Sequence, residues 1–445
     1  MAETSHVAAG APEEQEDLAK ATIARLEQQL RDTPKIRRFE RAVIRYNLGL
    51  AWAEIPSGDR PINLSRAIAS LQKAADLFDP RSRPVEHART QNALGSAHRE
   101  MGQMGEAEIA FRRAVDLVPL EINPGEHGAA RNNLGLVYGD AGRIDDAIAQ
   151  YTCALEAFAG PEYVRQRIAA LHNLGQALSG SPDPARVQEG VERYLEALDL
   201  ADPQDHPYQW GLLKHSLGVT YTGIGEPLKA IAAFTDALKV FTRHRWPFQY
   251  ALCKNNLGLS HAQIGDPRSL RHAVAAYEDA LRVLDVRLNR EQWEQAFRNL
   301  ELAEQALKDA GETGTRAQHF AQIAGEADGE ALVELLRERL MDLTTQPEPV
   351  RTEVLAELDR AVLELSDQDA EKVTAVWMNV LMELPHEQFL AGLKARMLVH
   401  DSLDEQARIR AANVLEGAIG DQLLAPQRIR VRDALEEMGY DRPPL

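Results

Sequence analysis

The sequence predicts an all-α protein: a solenoid of helical hairpins followed by a second all-α domain. Three observations predict it. A Leu-Gly pair recurs six times in similar surroundings, a motif of small, bulky and Ala residues follows each pair, and beyond Gly311 helical periodicity continues without the Leu-Gly signature. Spacings of three and four put residues on one face of a helix, whereas a strand would alternate every second residue.

Residues 1–13 are small and polar without apolar periodicity, and are expected to be disordered. Residues 14–34 read as a leading helix, with Leu18, Ile23, Leu26 and Leu30 at helical spacing. The pairs then fall at Leu48-Gly49, Leu94-Gly95, Leu134-Gly135, Leu174-Gly175, Leu217-Gly218 and Leu257-Gly258, at intervals of 46, 40, 40, 43 and 40. A second helix follows each, keyed on a small residue, a bulky one four later and Ala seven later. These are Ala67, Leu71, Ala74; Ala107, Phe111, Ala114; Ala147, Tyr151, Ala154; Gly190, Tyr194, Ala197; Ala230, Phe234, Ala237; and Ala273, Tyr277, Ala280.

From each Leu to its own keyed residue the distances are 19, 13, 13, 16, 13 and 16, whereas from there to the next Leu they are always 27. A stack of hairpins requires this, because each second helix packs in fixed register on both neighbours while the turn inside a hairpin is open to solvent. Insertions are therefore expected inside hairpins, with the longest protruding turn at residues 55–64. The last interval of 27 lands on Leu300, where Glu301 replaces Gly, so a degenerate seventh repeat is expected to close an array spanning residues 35–310.

Residues 311–445 read as a separate acidic domain of short helical hairpins. Periodicity continues over 332–343, 350–365, 370–384, 386–400, 405–419 and 427–438, punctuated by Pro347, Pro349, Pro385 and Pro426. Leu336, Leu340, Leu355, Leu363, Trp377, Leu381, Leu390 and Leu393 recur at core spacing. Residues 312–445 hold 26 acids and 14 bases, a net −12 of the chain's −18.

That charge opposes a nucleic-acid backbone. Cys153 and Cys253 are too few for a disulfide framework or cysteine-rich zinc site. No apolar run approaches the roughly 18 residues that span a bilayer, and residues 1–20 lack the basic head and apolar stretch of a signal peptide. The reading is a cytoplasmic protein without membrane insertion. Phosphate loops, zinc-hydrolase, serine-hydrolase and calcium motifs are absent, the thirteen His are dispersed, and no enzyme activity, metal or cofactor is expected. His172 and His215 occupy equivalent positions of successive repeats and read as packing residues, as does Cys153.

The Leu-Gly pairs, an aromatic three after the Gly (Trp52, Tyr138, Tyr221) and the small, aromatic, Ala series resemble tetratricopeptide repeats over about residues 35–310. His98, His261 and Leu178 depart from the aromatic position, and the period of 40 or more exceeds the usual about 34. Such long periods are similar to those of kinesin light chains, spindle-orientation adaptors and bacterial proteins with caspase-like domains, although no Cys nucleophile follows position 253. The resemblance implies a right-handed superhelix whose first helices line a concave groove.

It also implies that the residue before each Leu faces the groove: Asn47, Ala93, Asn133, Asn173, Ser216 and Asn256. An Asn amide both donates and accepts, so it suits the peptide groups of an extended partner segment, or it satisfies a neighbouring repeat. Helical neighbours Leu136, Leu212, Val219, Leu252 and Leu259 add apolar anchors, and Arg89 is the one cation suited to a clamp for chain termini. Glu54, Glu100 and Asp140 form an acidic rim that favours a basic partner with apolar anchors. The function expected is a non-enzymatic adaptor, scaffold or assembly factor binding another protein or peptide. The alternative is a regulator responding to a ligand or signalling peptide.

Overall fold

The structure, a computed structural model, describes residues 12–55, 59–344 and 346–438. Of residues 1–13, expected to be disordered, 1–11 lie outside the described residues, as do residues 56–58 of the first hairpin's turn, whereas residues 12 and 13 already belong to the first helix. Contacts divide the chain into two compact units, one running to Thr242 and the other from Arg243. Among the described residues all regular structure is helical, and no helix is long and apolar enough to cross a membrane.

In the first unit α1 (Pro12–Asp32) packs on α2 (Arg38–Glu54), and five hairpins follow. They pair α2 with α3 (Arg60–Leu77), α4 (Pro84–Glu100) with α5 (Met104–Leu117), α6 (Pro124–Asp140) with α7 (Ile144–Ala157), α8 (Val164–Ser179) with α9 (Pro184–Leu200), and α10 (Pro207–Gly223) with α11 (Pro227–Val240). Each of α3, α5, α7 and α9 also packs on the first helix of the following hairpin. Several first helices open on a proline, Pro84, Pro124 and Pro207 here, whose missing N–H costs nothing at a helix start.

The Leu-Gly pair has a direct steric cause. The bulky residue of the second helix lies across the Gly of the first: a Cβ at Gly135 would sit 2.5 Å from Tyr151 Cε1, at Gly95 2.6 Å from Phe111, and at Gly218 2.6 Å from Phe234. Leu71 covers Gly49 in the same way, and Tyr194 covers Gly175. In the first unit the Leu beside each Gly is buried with the keyed Ala residues, Leu94, Leu134, Leu174 and Leu217 among them. Aromatic rings thus bring the two helices of a hairpin together where only hydrogen stands on the facing Cα.

Most of the extra residues of the longer repeats are helix, not loop. Short hairpins turn over three residues at Gly102, Gly142 and Gly225, each with φ near +75°, and enter 14-residue helices α5, α7 and α11 without a side-chain cap. The left-handed Gly closes the first helix: Gln103 N donates to His98 O, Arg143 N to Tyr138 O and Glu226 N to Tyr221 O. The longer hairpins start their second helix one turn earlier. Asp59 and Asp183 cap α3 and α9 through their carboxylates, with Pro61 and Pro184 in the first turn. The sequence located the insertions within the hairpins, but the expected protrusion is mostly an added helical turn.

The second unit opens with another hairpin, α12 (Pro247–Ile264) and α13 (Pro267–Val283), in which Tyr277 covers Gly258 and Asp266 caps the longer α13. Helix α14 (Arg290–Asp309) packs on α13, burying Leu300, Ala303 and Leu307 at the expected register. The chain then departs from the repeat. Helix α15 (Arg316–Glu326) packs on α17 (Glu348–Leu363) and on α13 instead of closing a hairpin on α14, so the seventh repeat consists of its first helix.

The remaining helices are α16 (Gly329–Thr344), α18 (Asp367–Met382), α19 (His386–Ser402), α20 (Glu405–Gln422) and α21 (Ala425–Glu437). They are not the hairpins expected: α16 packs chiefly on α18, α17 on α19, and α18 on α20, each skipping its chain neighbour. The links are too extended for hairpins. Ser366, Pro385 and Asp404 each hold ψ near 150–170° between one helix and the next, which throws the following helix across the previous one. Leu336, Leu340, Leu355, Trp377, Leu381 and Leu393 are buried in one core with Met378, Phe389 and Val431, while Leu363 and Leu390 pack at its margin. Within that core Arg396 pairs with Asp359 at 2.7 Å, joining α19 to α17.

Candidate functional site

Successive first helices of the first unit bring the expected stripe into register. Between α4 and α6 an open pocket of about 370 Å³ is lined by Ser96, Arg99, Glu100, Phe111, Asn133, Leu136 and Asp140. Four of these were singled out from sequence: Asn133, Leu136, Glu100 and Asp140. Leu136 and Asn133 are half-buried, one apolar and one polar, a wall suited to an extended chain with alternating side chains.

The amides also bond to one another between repeats. Asn133 Nδ2 donates to Asn92 Oδ1 of the preceding hairpin at 2.8 Å, and Asn173 Nδ2 donates to Asn132 Oδ1 at 3.0 Å. In the next step His172 Nε2 shares a 2.9 Å hydrogen bond with Ser216 Oγ. The second unit repeats the pattern, Asn299 Nδ2 donating to Asn255 Oδ1 at 3.1 Å, while Asn255 Nδ2 donates to Asn256 Oδ1 at 3.3 Å. A polar ladder therefore links successive first helices within each unit, and its second column is Asn92, Asn132, His172 and Asn255. The doublets Asn132-Asn133 and Asn255-Asn256 carried that signal in the sequence.

The acidic rim is altered by arginines. Glu100 accepts from Arg60 Nε and Asp140 from Arg99 Nε, both at 2.6 Å, so these two carboxylates stand in ion pairs instead of a bare acidic strip; Glu54 is exposed. Arg89 is engaged too, its Nε 2.7 Å from Glu126 Oε1. Glu126 is buried with Oε2 unpartnered, and burial beside this pair raises the Tyr46 hydroxyl above its ordinary pKa. A clamp for a chain terminus would need Arg89 released from Glu126.

Of the other stripe residues in this unit, Asn47 and Val219 are exposed and Leu212 is half-buried. In the second unit Leu252 and Asn256 are half-buried and Leu259 is exposed. His172 and His215 are enclosed, His172 against the Tyr194 ring and His215 edge-on to Phe234. Burial pushes each down to about 4, the neighbouring His172 adding to the effect on His215, so both imidazoles are neutral at pH 7. Burial likewise pushes the Cys253 thiol up to about 12. Among the described residues no three His, Cys, Asp or Glu side chains converge as a metal site.

Comparison with known proteins identifies the repeat. Residues 88–119, covering most of α4 and all of α5, match the family model described as tetratricopeptide repeat, and no curated protein matches the chain. Among solved structures, BtubC (BKLC) from P. vanneervenii is similar at 17% identity and TM-score 0.38, over 57% of this chain and 94% of that one. A thermophilic tetratricopeptide repeat protein of Thermus thermophilus is similar at 20% identity and TM-score 0.35, over 48% and 99%. A signal transduction ATPase with numerous domains and a tetratricopeptide repeat sensor, from Pyrococcus horikoshii, is similar at 13% identity and TM-score 0.37, over 84% and 55%. Residues 88–119 are thus recognised as a tetratricopeptide repeat, and the other hairpins repeat their Leu-Gly pattern.

Proposed function

We propose that this chain is a non-enzymatic adaptor or assembly factor that holds an extended segment of a partner protein along its first helices, centred on the pocket between α4 and α6. The pocket carries the reading: it joins an apolar wall, Leu136, to an amide, Asn133, and a hydroxyl, Ser96, beside the paired charges Arg99 and Asp140. Peptide recognition needs this combination, because the backbone of the bound segment must be hydrogen-bonded while alternate side chains are buried. The rim offers charges of both signs, so the partner need not be basic. A cytoplasmic setting suits the two free cysteines.

The test is a random peptide display library panned on the purified protein and on a Ser96→Trp variant, whose indole fills the pocket. Peptides enriched on the first and rejected by the second support the reading. Peptides that bind both equally, or no enrichment at all, would sink it.

A further inference from the structure

Two hairpins in succession carry the same four-residue constellation on a column apart from the groove stripe. In α10 and α11 it is Trp210, Lys214, Asp236 and Lys239; in α12 and α13 it is Tyr250, Lys254, Asp279 and Arg282. Positions match residue by residue: the aromatic six and the lysine two before the groove position, the aspartate six and the second cation nine after the keyed small residue. The geometry matches as well. Lys214 Nζ stands 5.2 Å from the Trp210 ring centroid and 2.8 Å from Asp236, and Lys254 Nζ stands 5.3 Å from the Tyr250 ring and 2.9 Å from Asp279. The second cation reaches the same aspartate, Lys239 at 2.8 Å and Arg282 at 2.6 Å.

The two differ in what lies over them. In the second unit α16 presents Glu338 to the constellation: Glu338 Oε2 is 3.2 Å from Lys254 Nζ, and Tyr250 Oη donates to Glu338 Oε1 at 3.1 Å. Helix α16 spends Leu332, Leu336 and Leu340 on the C-terminal core, so it offers the hairpin its polar face, with the carboxylate as anchor. Lys254 and Asp279 are correspondingly covered, 14% and 17% exposed, against 23% and 30% for Lys214 and Asp236. Among the described residues no carboxylate from outside its own hairpin reaches Lys214.

We propose that the Trp210–Lys214 face of the α10–α11 hairpin is a docking site for an acidic helical segment of a partner protein, which places a Glu or Asp carboxylate on Lys214 as α16 places Glu338 on Lys254. The chain's own sixth hairpin supplies the template and the charge complementarity: Lys254 stands between two carboxylates, Asp279 and Glu338, whereas Lys214 meets Asp236 alone, and a partner's carboxylate completes the set. The site is independent of the groove between α4 and α6.

The probe is a labelled helical peptide of residues 329–344, stapled across the positions of Leu332 and Leu336 so that only its polar face is offered, titrated into the full chain by fluorescence anisotropy. Saturable binding is expected, weakened roughly ten-fold or more by Lys214→Met in the protein and equally by Glu338→Gln in the peptide. Asn133→Ala should leave it unchanged, which separates this site from the groove. Melting curves of Lys214→Met check its fold, and the peptide variant decides the matter if that fold is lost. Absence of binding, or binding indifferent to Lys214 and to Glu338, would overturn the proposal. Self-association of the unmodified chain that Lys214→Met abolishes would also overturn it, assigning the face to a second copy.

Discussion

Asn133 serves two surfaces at once, lining the pocket and donating to Asn92. Asn133→Ala should therefore cost stability as well as binding, about 0.5–1.5 kcal/mol from the lost ladder bond, read as a lower urea midpoint. A midpoint shift with peptide affinity intact would confine the residue to the ladder; affinity lost without a shift would confine it to the groove. The enclosed histidines add a pH dependence. His172 and His215 hold folded values near 4, below the ordinary 6.5, so the unfolded chain binds more protons across that interval. Their contribution is complete above pH 6.5 and is lost as pH falls toward 4, amounting to about 2 kcal/mol per imidazole by pH 5. Urea titrations at pH 7 and pH 5 should show that loss in the native chain and much less of it in His172→Gln/His215→Gln; equal losses would rule it out. At this scale the sequence was half legible. The repeat resemblance singled out Asn133, Leu136, Glu100 and Asp140, which the structure sets around one pocket, but it could not show that Arg60 and Arg99 reach across to the rim. Those partners lie 40 and 41 residues away and belong to no repeated motif.

At the scale of the element, the Leu-Gly pair and the keyed aromatic were legible because they are two halves of one contact, and contacts that recur in every repeat leave a recurring mark. Gly135→Ala should destabilise despite favouring helix. Relieving a mid-helix Gly is worth about 1 kcal/mol, whereas forcing Tyr151 off a Cβ 2.5 Å away costs about 1–3 kcal/mol. Gly105, in α5 with nothing within 4 Å, is the control, and its Ala variant should match or exceed the native melting temperature. The opposite ordering would refute the steric account. What the sequence hid was the packing after α14. Apolar spacing of three and four marks a helix whichever neighbour it meets, so the 332–343 and 370–384 periodicities were correct while their partners were not. The cue lay in the links, where Ser366, Pro385 and Asp404 extend the chain instead of reversing it.

At the scale of the molecule, loss of the Leu-Gly signature at residue 311 and the division of contacts at Thr242 mark different things. The signature follows one motif, whereas the contacts carry Lys254 to Glu338, Arg268 and Arg271 to Glu326, and Arg271 to Glu312 across residue 311. A fragment of residues 243–445 should consequently melt at a higher temperature than one of residues 312–445, which strands Glu326 and Glu338 without their cations. Equal melting temperatures, followed by circular dichroism at matched concentration, would favour residue 311 as the structural boundary. The added first turn of α3, α9 and α13 bears on how such an array can change length over evolutionary time. Each residue inserted ahead of a fixed keyed position carries the helix start about 100° around its axis. One or two added codons would leave the Asp-Pro cap facing away from the incoming chain, whereas three or four return it. Gene-level insertions in these hairpins are thus expected in units of a helical turn, so that a lineage of such repeats should contain members of 40 and 43 residues and few of 41 or 42.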